Sequence, residues 1–188
     1  ELIRNCEVSL RGWTLPHTDP KNTSNFNLGR QSYIDWDRYR EGYRFYKSGL
    51  FVWKRAFWED IADHKTQTGN RPLSFISAIY SFTEFMFFLK RAYERLELNG
   101  DVHVTIRLVG CKGRELAAYD GMIAFWDGYI SNEDIILLED NFKVVELKAA
   151  YLQLAQNWIK HVFHVFNWTD VSEQTIDNWQ KKLIERRL

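Results

Sequence analysis

Asp35 and Asp37, followed by Glu59 and Asp60, supply carboxylates of the kind that hold Mg²⁺ for phosphodiester cleavage. The same Asp35 and Asp37 flank an expected helix start, where negative charge stabilises the helix dipole without any metal. Glu84 lies inside the run Phe82-Thr-Glu-Phe-Met-Phe-Phe88, so its carboxylate is expected to lose water. Such a group is either a perturbed functional acid or the partner of an arginine. His161 and His164 are three apart, a spacing shared with paired metal ligands. On a helix, however, they diverge by about 60°, and no third ligand stands near them. Gly-x-Ser-x-Gly, Gly-x-x-x-x-Gly-Lys, Gly-x-Gly-x-x-Gly and Cys-x-x-Cys do not occur, so no catalytic residue, cofactor or metal is assigned.

A second constellation is electrostatic. Residues 30–58 carry seven positive and three negative side chains, and Arg38, Arg40, Arg44, Lys47 and Lys54 stand among Trp36, Tyr39, Tyr43 and Tyr46. A basic flank edged by rings suits phosphate contacts combined with base stacking, which makes these five cations the candidate contacts for nucleic acid or another ligand. The plain alternative is an amphipathic element whose rings are core and whose cations are its solvated rim. Residues 127–146 carry six acidic side chains against Lys143, so the two segments are also complementary, within one chain or between two copies.

These groups belong to a chain of 188 residues whose 25 basic and 25 acidic side chains cancel. Any attraction to a polyanion must therefore be local. Eight Trp, nine Tyr and 13 Phe are a heavy aromatic load, which argues for a packed core rather than disorder. Cys6 and Cys111 make neither a disulfide framework nor a four-ligand zinc site, which suits a reducing cytoplasm. The longest apolar run, within 72–98, is broken by Ser77, Ser81, Thr83 and Glu84, and no membrane association is expected. The chain opens Glu-Leu-Ile-Arg, which suggests one domain over 1–188 forming the C-terminal part of a longer protein.

The elements that must position these residues follow from periodicity. Cys6–Leu15 alternates and predicts a strand, and the polar residues 16–32 predict a loop. Trp36, Tyr39, Tyr43 and Tyr46 fall at helical spacing ahead of Gly49, so a helix with a glycine stop is expected, placing Arg40, Arg44 and Lys47 on one flank. Residues 50–58 then form a strand. Residues 72–98 carry apolar positions at spacings of three and four and predict a helix of roughly 40 Å. Residues 101–110 alternate cleanly as a half-buried strand, with 115–119 and 135–138 as partners. Helices are expected over 144–166 and from Ser172 onward. The predicted fold class is α+β: a small, mostly antiparallel sheet packed by two long helices around an aromatic-rich core.

Cys6-Glu-Val-Ser-Leu-Arg-Gly-Trp13, Ser32-Tyr-Ile-Asp-Trp36, Tyr43-Arg-Phe-Tyr-Lys-Ser-Gly-Leu-Phe-Val52 and Val162-Phe-His-Val-Phe-Asn-Trp168 resemble words from the region that follows a Schlafen-type, AlbA-like DNA-binding domain in some bacterial multidomain proteins. Asn167 stands where the closing phrase of that region has a glycine. The resemblance implies a non-enzymatic accessory, sensing or interaction domain, partnered by the upstream domain and associated with nucleic acid. A metal-dependent nuclease and a homo-oligomerisation domain are the alternatives.

Overall fold

The computed structural model describes residues 2–36, 39–62, 66, 69–118 and 128–187. The fold is α+β, as expected. A short helix α1 (Leu2–Cys6) leads into a minimal antiparallel ladder of β1 (Val8–Ser9) and β2 (Thr14–Leu15). Four strands then form an antiparallel meander: β3 (Thr23–Phe26), β4 (Gly29–Trp36), β5 (Tyr39–Tyr46) and β6 (Phe51–Arg55). After α2 (Trp58–Ile61), β7 (Arg71–Ser74) pairs in parallel with β9 (Arg114–Ala117), while β8 (Asp101–Val109) and β10 (Ile135–Lys143) form a nine-pair antiparallel ladder. The long helices are α3 (Phe75–Arg95), α4 (Val144–Val165) and α5 (Glu173–Ile184).

Three expectations are corrected. The expected helix at 35–47 is the β4–β5 hairpin, and the expected loop at 16–32 contains β3 and the start of β4. The expected strand over 6–15 is a helix end and two short strands joined by a turn. The "glycine stop" is real but has another purpose. Gly49 has φ 89° and closes the three-residue turn Lys47-Ser-Gly49 between β5 and β6, where Gly49 N donates to Tyr46 O and Tyr46 N to Leu50 O. A left-handed residue ending a three-residue hairpin turn favours glycine for the same steric reason as a helix C-terminus does.

α3 is the centre of the molecule. Ser74 caps it, its Oγ accepting from Ser77 N at 3.2 Å, so Pro72 belongs to β7 rather than to the first helical turn. Phe85 and Phe88 meet the inner face of the meander, with ring centroids 5.8 Å from Trp53 and 4.8 Å from Phe51. Another face packs on α4 and α5, where Phe75 meets Phe163 at 6.4 Å and Trp179 at 6.2 Å. A helix covered on several sides needs apolar residues nearly all round, which is what the Phe-rich stretch provides. Phe75, Met86 and Phe163 are fully buried, each stabilising the fold by about 1.5–3 kcal/mol relative to exposure. α4 in turn covers the β8–β10 ladder, Trp158 lying 5.4 Å from Phe142. Among the described residues no helix is long and apolar enough to cross a membrane.

Candidate functional site

The period of a strand sends alternate residues to opposite faces, so the meander's register sorts its side chains. Ser32, Ile34, Glu41, Tyr43 and Trp53 turn inward. Tyr33, Asp35, Arg40, Gly42, Arg44, Val52 and Lys54 turn outward, in the cross-strand rows Asp35–Arg40, Tyr33–Gly42–Lys54 and Gln31–Arg44–Val52. Gly42 has no side chain, and this leaves a dent in the middle row. The open cleft there has a volume of about 480 Å³, with Tyr33, Arg40, Gly42 and Lys54 in its lining. Arg40, Arg44 and Lys54 are all exposed, and Tyr33 is 57% exposed. Arg40 Nε donates to Asp35 Oδ1 at 3.0 Å and Arg44 Nε to Gln31 Oε1 at 3.1 Å. Both contacts are solvent-exposed and readily exchanged for a ligand oxygen.

The structure therefore brings Arg40, Arg44 and Lys54 together on a sheet face, not on the helical flank expected. Lys47 is exposed in the β5–β6 turn, and Arg38 and Asp37 lie outside the described residues. Tyr33 and Gly42 complete the cleft and were not singled out from sequence. Their signal was the alternation Tyr33-x-Asp35, together with a glycine inside the expected helix.

At the Trp36–Tyr39 end of the same hairpin, where β4 passes into β5, the rings turn the other way. Trp13 stacks between His17 and Tyr39, with centroid distances of 4.2 and 3.9 Å, and Trp36 stands edge-on to Trp13 at 6.1 Å. Trp36 and Tyr39 are 50% and 41% exposed, whereas Tyr43 is buried and Tyr46 faces outward, so these four rings do not form the single apolar stripe expected. Glu41, itself buried, holds the column. Its Oε2 accepts from Trp13 Nε1 at 3.4 Å and its Oε1 from His17 N at 2.8 Å.

The remaining candidates are engaged in the scaffold. Glu84 accepts from Arg11 Nε at 3.1 Å and Nη2 at 2.5 Å, which is the arginine-partner reading of this buried carboxylate. Ser81 Oγ accepts from Arg11 and Arg55, and Ser81 donates to Ser77 O. Asp60 pairs with the buried Arg114, whose Nη1 donates to Pro72 O and whose guanidinium lies 4.6 Å over the Phe57 ring. Glu59 accepts from Ser74 N, and burial pushes its carboxyl above the usual range. His161 and His164 are both exposed. Among the described residues no three His, Cys, Asp or Glu side chains converge as metal ligands. Cys6 and Cys111 are free and buried, and burial pushes the Cys111 thiol up to about 11, unsuited to a nucleophile at neutral pH.

No family model, no curated protein and no solved structure matches this chain.

Proposed function

We propose that this chain is a non-catalytic binding module that holds the phosphate backbone of a nucleic acid on the outer face of its meander. The observation that carries the reading is the placement of Arg40, Arg44 and Lys54 on one outer face of two adjacent strands, with Arg40 and Lys54 lining the dent at Gly42. Cations at such a spacing neutralise successive phosphates, and a sheet face without apolar cover has no packing reason to gather them. The resemblance to the region after a Schlafen-type AlbA-like domain supports the same setting, an accessory domain beside a nucleic-acid-binding one in a bacterial protein.

Retention on heparin and binding of a fluorescent oligonucleotide at low salt test this. The Arg40→Glu/Arg44→Glu double variant is expected to lose retention. Equal binding by the variant and the parent protein overturns the proposal.

Self-association is a second reading, favoured by an exposed apolar strip on the β8–β10 ladder. Val109, Ile135 and Leu137 lie together on its outer face at 56%, 44% and 51% exposure, beside exposed Glu139. A molar mass from light scattering that stays monomeric at every concentration and salt level removes it.

A further inference from the structure

The outer cations and the ring column meet at one end of one hairpin. The pair Asp35–Arg40 points outward, and the next pair, Trp36–Tyr39, points inward about 3.3 Å further along the strands. We infer that the nucleic acid is single-stranded, its backbone following Arg40, Arg44 and Lys54 and its unpaired bases turning over the hairpin end onto Trp36 and the His17–Trp13–Tyr39 column. This inference rests on the polyanion reading above.

Three observations carry it. The rings are half open although the surrounding inner face is buried, since Trp36 and Tyr39 keep 50% and 41% of their surface while Ile34 and Tyr43 keep 3% each. The column is also tied together by stacking and hydrogen bonds. Trp13 and Tyr39 lie within 4° of parallel, Thr14 Oγ1 and His17 Nδ1 are hydrogen-bonded at 2.8 Å, and the buried Glu41 uses both oxygens to anchor Trp13 and His17. A platform ordered beforehand loses little entropy when a flat ring lands on it. Finally, cations and rings on adjacent residue pairs match a chain whose charges and flat rings alternate from nucleotide to nucleotide. In a duplex the base faces are already stacked inside, so only the backbone contacts would remain available.

The test compares a short fluorescent oligo(dT), a duplex of equal length and heparin, using the parent protein, Trp36→Ala, Trp36→Phe and Arg44→Glu. Trp36 is exposed, so the substitutions are expected to leave the thermal unfolding midpoint in place. The parent protein should bind oligo(dT) more tightly than duplex. Trp36→Ala should weaken oligo(dT) binding about tenfold, with Trp36→Phe retaining most of it and heparin retention unchanged. Arg44→Glu should weaken all three ligands. Unchanged oligo(dT) affinity in Trp36→Ala, or equal affinity of the parent for duplex, overturns the single-strand inference. If Arg44→Glu still reduces heparin retention, the polyanion reading survives that result. Binding to none of the three ligands overturns both.

Discussion

Asn167 shows how one backbone angle selects a residue type. It follows the last turn of α4 with φ 67°; its N–H donates to His164 O, and the N–H of Trp168 donates to Phe163 O. This pairing is a Schellman closure, and Trp168 stacks on Phe163 at 5.1 Å as the accompanying apolar contact. Glycine and asparagine are the residues that accept the left-handed region most readily, which accounts physically for asparagine at this position. Asn167 adds a bond that glycine lacks, from Nδ2 to Ile130 O at 2.9 Å. Asn167→Gly is therefore expected to stay within about 0.5 kcal/mol of the parent, whereas Asn167→Val costs about 1–2 kcal/mol through strain. Urea denaturation measures both, and equal stability of the two variants would contradict the account.

Between elements, the decisive contact is the clip from the β1–β2 turn to α3. Glu84 is buried at 3% side-chain exposure and takes two hydrogen bonds from Arg11, a residue 73 positions earlier that is itself only 23% exposed. Removing the cation leaves a buried carboxylate without its partner, and water entering along the path that Arg11 vacates compensates only in part. Arg11→Ala is expected to destabilise the fold by about 2–3 kcal/mol, less than for a fully buried pair because Arg11 keeps some solvent access. The apolar replacement Arg11→Met/Glu84→Leu should recover most of that loss. A double-mutant cycle by denaturant unfolding checks it, and additive single effects would show that the two groups do not interact.

At the scale of the whole molecule, charge neutrality means that no net charge draws a polyanion in, so the proposed binding would depend on the local cations and weaken with salt. With Arg40, Arg44 and Lys54 each displacing a counterion from a single strand, log K should fall with log salt at a slope of about −2. Lys54→Ala should flatten that slope by about 0.7 in a fluorescence titration across salt concentrations. An unaltered slope would remove Lys54 from the contact surface.

Much of the architecture was legible in the chain, and the part that was not has a definite cause. Helices α3, α4 and α5 and strand β8 could be read because their apolar positions keep one period over many residues, and a long run of period 3.6 or 2 admits little else. Residues 35–47 defeated that reading because residues four apart share a face in a helix and in a strand alike. Arg40 and Arg44, or Tyr39 and Tyr43, therefore look the same in both. Glycine at 42 and the two-residue alternation through Glu41 and Phe45 were the discriminating signals. Tertiary structure alone decided which rings are core and which are offered to solvent, because exposure depends on what another element lays over each ring. α3 contributes to the cover over the inner face near Phe51 and Trp53, while Trp36 and Tyr39 project past it. It also decided that Glu84 answers to Arg11 and that Lys54 joins Arg40 and Arg44, since strand register and helix docking set those distances and periodicity along the chain does not.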